Sequence, residues 1–134
     1  MDQTQEQIIA QIKELAAVDD NMAVVWLYGS RANNSANKAS DYDFAIAFNQ
    51  FPEDEWDKRL QPELVAQYWA DTLSISLEKI SVVDFNHIPL ALALSIVNSN
   101  TVLLAKDSVR LAREENRVSS MWELDQVYHR QQFG

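Results

Sequence analysis

The first half of the chain follows a helical period and then two strand-like patterns. In residues 4–18 the apolar side chains recur at helical spacing, which predicts an amphipathic α-helix. Residues 23–28, AVVWLY, are a short apolar run typical of a buried strand. The small and polar residues 29–40 predict a loop or turn followed by a short helix. Residues 41–49 alternate, with phenylalanine and isoleucine on one face and aspartate and alanine on the other, and predict a second strand.

The second half continues the alternation of helices and strands. An acidic cluster around Trp56 fills residues 50–58, which we interpret as a surface connection, and Pro62 fits the first turn of a helix that runs to about Leu77. The remaining predicted elements are a strand at 80–85, a helix at 90–100 opened by Pro89, a short strand at 101–105, and a long helix capped by Asp107 or Ser108 that ends near Gln131. Without repeats or linkers, residues 1–134 are predicted to form one α/β domain.

Composition narrows the class of protein. The 134 residues are 47% hydrophobic and 23% charged, as in a globular domain. No cysteine is present, which excludes disulfides, thiolate catalysis and cysteine-ligated zinc. The apolar runs are shorter than the ~20 residues of a membrane span, and the N-terminus has no signal-peptide pattern. We therefore expect a cytoplasmic protein without a membrane partner.

The formal net charge of -9 indicates which classes of molecule the chain can bind. Such a surface repels nucleic acid, so we expect no direct nucleic-acid partner. It suits a basic protein partner. If the chain handles nucleotides, metal ions or a local basic patch must offset its field.

Gly29 is one of only two glycines, and it stands directly after the first predicted strand. Glycine is favoured where the backbone takes a positive φ or where a ligand approaches closely. The loop after it can direct N–H groups and the Ser30 hydroxyl at phosphate oxygens. Taken alone, the Gly-Ser pair is more typical of a tight turn that binds no ligand.

Asp41 and Asp43 begin the second predicted strand, and ten residues separate Ser30 from Asp41. Strand alternation puts both carboxylates on one face. Two like charges so close are unfavourable unless a cation lies between them, and hard oxygen ligands suit Mg²⁺ or Mn²⁺. The pair therefore predicts a metal site. The alternative is that Asp41 merely starts the strand and Asp43 lies on a solvated face.

Asp84 stands near the end of the third predicted strand, between two apolar residues. Burying a lone aspartate is costly without a partner. If this strand lies beside the second one, Asp84 completes a three-carboxylate cluster with Asp41 and Asp43. This prediction requires all three on the same side of the sheet. Taken alone, Asp84 is more typical of a strand end or a helix cap.

Residues 28–48, YGSRANNSANKASDYDFAIAF, resemble the signature of the DNA polymerase β-like nucleotidyltransferase superfamily: Gly-Ser, about ten residues, Asp-x-Asp, and a third Asp on a later strand. The chain is similar over nearly its whole length to the minimal nucleotidyltransferases. Many of these have a loop glycine where this chain has Asn34, and asparagine tolerates left-handed backbone. The resemblance implies an α/β nucleotidyltransferase fold, with a small mixed β-sheet flanked by α-helices.

The resemblance also implies roles for individual residues. Gly29 and Ser30 would hold the β- and γ-phosphates of ATP, and Asp41 and Asp43 would ligate two Mg²⁺ ions. Asp84 would ligate the ion on the acceptor side and take the proton of the attacking hydroxyl. Attack on the α-phosphorus would release pyrophosphate. Arg31 is a further candidate for a phosphate contact, with a solvated loop cation as the equal alternative.

Minimal nucleotidyltransferases of this size resemble the antitoxin partners of HEPN-domain ribonuclease toxins. The resemblance implies that this chain transfers AMP from ATP to a tyrosine hydroxyl of a HEPN toxin, within a hetero-oligomeric complex, and so silences the toxin. One alternative is a non-catalytic antitoxin that acts by binding and occlusion. Another is transfer to a small molecule, although enzymes of that kind usually carry an extra acceptor-binding region.

A stripe of basic residues marks the final helix. We favour a solvated face that pairs with Glu114 and its neighbours, and the alternative is a surface that docks phosphate or a partner. The stripe consists of Lys106, Arg110, Arg113 and Arg117.

Overall fold

A four-stranded mixed sheet forms the centre of the molecule, and α-helices flank it. The computed structural model describes residues 3–99 and 101–133. The strands lie in the order β3-β2-β1-β4. The strands are β1 (Met22–Tyr28), β2 (Tyr42–Phe48), β3 (Ile80–Asp84) and β4 (Val102–Ala105), and the α-helices are α1 (Gln5–Ala17), α2 (Glu55–Leu73), α3 (Leu90–Ser99) and α4 (Ser108–Phe133). The predicted fold class is confirmed, and Asn100, predicted to end a helix, lies outside the described residues.

Strand pairing decides which side chains meet. The central strands β1 and β2 are antiparallel, with Tyr28 opposite Asp43. Strand β4 also pairs antiparallel with β1. Strands β2 and β3 are parallel, and Asp43 pairs with Ser81. A parallel pair needs a crossover connection, which α2 supplies here. The end of β1 and the starts of β2 and β3 therefore share one edge of the sheet.

Each face of the sheet has its own hydrophobic core. Helices α1 and α2 cover one face, where Ile12, Phe44 and Trp69 are buried together. Helices α3 and α4 cover the other, where Trp26 stacks on Phe85 with ring centroids 4.2 Å apart. The alternation predicted for the second strand is confirmed, because its aromatic residues face the first core and its alanines face the second. Within the described ranges, no helix combines the length and apolar character needed to cross a membrane.

Helix α2 begins earlier than the sequence pattern predicts. The Asp54 side chain accepts hydrogen bonds from the backbone N–H groups of Trp56 and Asp57, at 2.8 and 3.1 Å. These bonds cap the helix at its first turn, where acidic side chains are also favoured by the helix dipole. Residues 50–54 thus form a connection as predicted, whereas residues 55–58 are the first turn of α2, and the prediction of a connection is wrong for those four residues. Pro62 lies inside the helix, and Ser74, with φ 56°, ends it.

The basic stripe of α4 does not present a uniform solvated face. Arg110 and Arg117 both donate to the carboxylate of Glu114, at 3.1 and 2.9 Å. Glu114 is only 7% exposed, so its carboxylate is buried, whereas the Arg117 side chain remains 37% exposed. Lys106 donates to the carbonyl of Asp19. The predicted pairing with Glu114 is confirmed for these two arginines.

Candidate active site

Gly29 lies between the end of β1 and the side chain of Asp43. Its φ of +73° is in the left-handed region, as the sequence pattern predicts. A Cβ atom at this position would lie 2.5 Å from Oδ2 of Asp43, closer than real side-chain contacts allow. Any larger residue at this position would therefore require the Asp43 carboxylate to shift, in addition to straining the backbone.

Asp43 is partly buried at the start of β2, and Asp41 is exposed just before it. Burial raises the pKa of Asp43, and the negative charge of Asp41 raises it further. Tyr28 lies opposite Asp43 on β1, and burial and the negative charge of Asp43 both raise its pKa. Within the described residues, no ion pair joins a basic side chain to Asp41 or Asp43. Among these residues, the pair therefore concentrates negative charge without an ion-paired basic side chain.

The loop after Gly29 starts with a 3-10 turn, Gly29–Arg31. Backbone N–H groups of Ala32 and Asn33 donate to the Gly29 carbonyl, at 3.1 and 3.3 Å. Asn34 takes φ 62°, which confirms that asparagine supplies the left-handed position in this loop. The predicted short helix is thus a single turn at the start of the loop rather than at its end. Ser30 lies in this turn, partly exposed and directly after Gly29.

The side chain of Arg31 is hydrogen-bonded to its own loop and to α1. Its guanidinium donates to the Ser40 carbonyl at 2.7 Å and to Oε1 of Gln5 at 2.8 Å. It also stacks on the Tyr42 ring, 3.9 Å from the centroid. Tyr42 and Asp43 are successive strand residues and face opposite sides of the sheet. The predicted phosphate contact of Arg31 has no support in this geometry, which gives Arg31 the role of holding the loop closed.

Asp84 is not brought to Asp41 and Asp43. It pairs with Ile46, whereas Asp43 pairs with Ser81, so Asp84 shares the face of Ile46 and lies on the opposite side of the sheet from Asp43. It is also three strand residues further along, about 10 Å at ~3.3 Å per residue. The predicted three-carboxylate cluster is therefore wrong.

The alternative interpretation of Asp84, a capping residue, is confirmed. Asp84 accepts a hydrogen bond from the backbone N–H of Asn86 at 3.0 Å and caps the 3-10 turn Phe85–His87. Its other carboxylate oxygen lies 2.8 Å from Nδ1 of His87. These partners satisfy a carboxylate that is only 6% exposed.

Ser81 occupies the β3 position that faces the same side as Asp43, and its side chain is exposed. The sequence pattern missed this residue, although strand alternation already separates Ser81 and Val83 from Asp84.

Among residues 3–99 and 101–133, no group of three or more acidic or histidine side chains is arranged to hold a metal. Asp41 and Asp43 fit one hard cation that also takes phosphate oxygens. They do not fit the predicted three-carboxylate, two-ion centre.

A polar network behind the second core was also missed by the sequence interpretation. Asn86 donates to Glu114 at 2.9 Å and accepts from Arg110. Arg110 also donates to the Phe48 carbonyl at 3.0 Å. Burial alone would raise the pKa of Glu114, but the hydrogen bonds from Asn86, Arg117 and Arg110 outweigh it and lower that pKa. This network joins α4 to the ends of β2 and β3.

Comparison with solved structures finds the same fold. A chain in the crystal structure of a toxin–antitoxin complex with AMP-PNP has a TM-score of 0.71 and 20% identity, with 95% of this chain and 94% of that chain covered. A chain of a tri-AMPylated Shewanella oneidensis HEPN toxin in complex with MNT antitoxin has a TM-score of 0.68 and 17% identity, with 95% and 93% covered. For the toxin–antitoxin MntA–HepT the values are 0.67 and 16%, with 94% and 93% covered.

No curated protein sequence matches the chain. The family model described as "Polymerase beta, Nucleotidyltransferase" matches residues 10–109. This range contains Gly29, Asp41 and Asp43, the residues that form the candidate site. The chain therefore belongs to the polymerase beta nucleotidyltransferase family.

Proposed function

We propose that this chain is the antitoxin of a HEPN toxin and that it transfers AMP from ATP to a tyrosine hydroxyl of that toxin. The observation that carries the proposal is the close approach of the Asp43 carboxylate to the backbone of Gly29, which supports a site shared by the Gly-Ser turn and the carboxylate pair. Two structural neighbours give the partner: one is a tri-AMPylated HEPN toxin with MNT antitoxin, and another is a toxin–antitoxin complex with AMP-PNP.

The residues of the site divide between nucleotide and metal. The turn at Gly29 and Ser30 binds the triphosphate, because it exposes backbone and hydroxyl donors and has no side chain at residue 29. Asp41 and Asp43 hold Mg²⁺, which offsets the burial and the repulsion from Asp41 that raise the pKa of Asp43. A bound Mg²⁺ neutralises charge on the triphosphate and on the departing pyrophosphate.

The reaction is an in-line displacement at the α-phosphorus. The tyrosine oxygen forms a bond to the α-phosphorus, and the bond from that phosphorus to the oxygen bridging to the β-phosphate breaks. Pyrophosphate leaves with that oxygen, and the tyrosine proton passes to solvent or to a base that the toxin brings. The part played by this chain is to position the nucleotide and to hold the charges of the triphosphate.

The exposure of the site suits a macromolecular acceptor. Asp41 and Ser81 are both exposed at the open edge of the sheet, so a partner can approach the nucleotide with its own surface. Since ATP is the donor and the proposed target is a ribonuclease toxin, we assign the activity to the cytoplasm. One domain spanning residues 1–134 is sufficient for this role in our proposal.

One observation favours a second function, neutralisation by binding alone. The described residues bring only two carboxylates to the site, with Ser81 beside them. A chain that binds ATP but transfers AMP poorly can still cover the toxin. The two functions differ in whether neutralisation depends on Asp41 and Asp43.

The test uses the product of the neighbouring gene, which the proposal expects to be a HEPN toxin, with Mg²⁺ and ATP labelled at the α-phosphate. Transfer predicts label on the toxin and loss of its ribonuclease activity, with both effects lost in Asp41→Asn/Asp43→Asn. Glu53→Gln/Glu55→Gln is the matched control, because it removes the same charge from an exposed segment away from the site. If the toxin remains unlabelled and is still neutralised by the Asp41→Asn/Asp43→Asn variant, occlusion replaces transfer.

A further inference from the structure

We propose that the active site holds a single divalent cation with the nucleotide, and that no second ion binds on the acceptor side, because Ser81 occupies the β3 position beside Asp43. The inference rests on the proposed nucleotide binding. It departs from the two-ion centre predicted from the sequence. It concerns whether this chain only binds the nucleotide or also activates the acceptor hydroxyl.

The register leaves Asp43 between two neutral side chains. On β1 its partner is Tyr28, and on β3 its partner is Ser81. Neighbouring strands lie about 4.8 Å apart, so a carboxylate at either position would face Asp43 across the sheet. Ser81 offers a hydroxyl at the position from which β3 could complete a cluster.

Among the described residues, no other acidic side chain takes the place of a carboxylate at position 81. Asp84 faces the opposite core and is already bound by Asn86 and His87. The loop 29–40 contains no acidic residue. In the part of the chain that the structure describes, no set of three acidic or histidine side chains could surround an ion.

Ligand charge then limits the number of ions. Mg²⁺ prefers carboxylate, phosphate and water oxygens in octahedral geometry. Two ions of a two-metal centre lie ~3.5–4 Å apart, and their mutual repulsion must be offset by negative ligands shared between them. Asp41 and Asp43 with the triphosphate supply such ligands on the nucleotide side only, and a neutral hydroxyl adds none on the acceptor side.

The consequence is a division of labour between this chain and its acceptor. The chain binds and positions the nucleotide, while solvent or a base of the toxin takes the proton of the attacking hydroxyl. The side chain at position 81 thereby sets whether the site binds nucleotide alone or also activates the acceptor.

The experiment counts ions directly. Mn²⁺ binding is measured by electron paramagnetic resonance in the presence of AMP-PNP, which is not hydrolysed between its terminal phosphates. We expect one Mn²⁺ per wild-type chain and two per chain of Ser81→Asp. Ser81→Asn is the matched control, because it has the size of aspartate without the charge, and it stays at one.

Circular dichroism establishes that each variant is folded. Two ions in the wild-type chain overturn the inference and leave the proposed function standing. A folded Ser81→Asp variant that still binds one ion also overturns it, since position 81 then does not face the metal. Absence of any binding of Mn²⁺ and AMP-PNP to the wild type overturns the inference and the proposed function together.

Discussion

At the scale of single residues, Gly29 is the position where the backbone of the turn lies against the carboxylate of Asp43. Its φ of +73° and the 2.5 Å approach of Asp43 Oδ2 to a would-be Cβ both select glycine. We expect Gly29→Ala to lower the free energy of unfolding by about 1–2 kcal/mol through the left-handed backbone alone. It should also weaken AMP-PNP binding, because Asp43 must move away from the turn. Thermal denaturation and nucleotide titration measure the two effects.

Asn34 provides the matched control for Gly29. It also has a positive φ, 62°, but it lies in the exposed part of the loop. Asn34→Gly keeps that conformation accessible and should leave nucleotide affinity unchanged. If Gly29→Ala binds AMP-PNP as the wild type does, the contact between Gly29 and Asp43 does not form part of the nucleotide site.

At the scale of elements, Glu114 links α4 to the ends of β2 and β3. Its hydrogen bonds lower its pKa from 4.5 in the folded state, so the charged form stabilises the fold above that value, and the contribution is lost as pH falls through the folded pKa. Glu114→Gln removes the charge from bonds to Arg110 and Arg117 and should cost about 1–3 kcal/mol at neutral pH. Urea denaturation over a pH series measures this loss.

The same series contains its own check. The difference between wild type and Glu114→Gln should shrink as the pH is lowered below 4.5, because the wild-type carboxylate then becomes neutral as well. Glu115→Gln changes the neighbouring residue, which has no ion pair among the described residues, and should alter stability little. A pH-independent difference for Glu114→Gln would mean that shape rather than charge matters at this position.

Local patterns predicted most elements because each buries one periodic face. The start of α2 was missed since Pro62 is typical of a first turn, whereas the capping bonds of Asp54 fix the start at Glu55.

The face of Asp84 could not be predicted because it depends on the register between β2 and β3. A shift of one residue moves a side chain to the other face. That register is a long-range pairing that neither strand encodes alone, so Asp41 and Asp43 were identified together while Ser81 was not.

At the scale of the whole molecule, the net charge of -9 and the carboxylate pair act in the same direction on ATP. Both repel the triphosphate when no metal is present. The described structure places no basic side chain in an ion pair with Asp41 or Asp43, and Arg31 is held by the loop. If the chain binds ATP as proposed, we therefore expect repulsion to govern binding in the absence of metal.

This repulsion predicts an unusual response to salt. Raising ionic strength from about 0.01 M to about 0.15 M shortens the screening length from about 30 Å to about 8 Å. In the presence of EDTA, ATP affinity measured by calorimetry should therefore rise with salt, and in Mg²⁺ this rise should be much smaller. Asp41→Asn/Asp43→Asn should bind metal-free ATP more tightly than the wild type at low salt. Metal-free affinity that falls with added salt would instead require a cationic surface that attracts the triphosphate, and the charge argument for a metal at Asp41 and Asp43 would not hold.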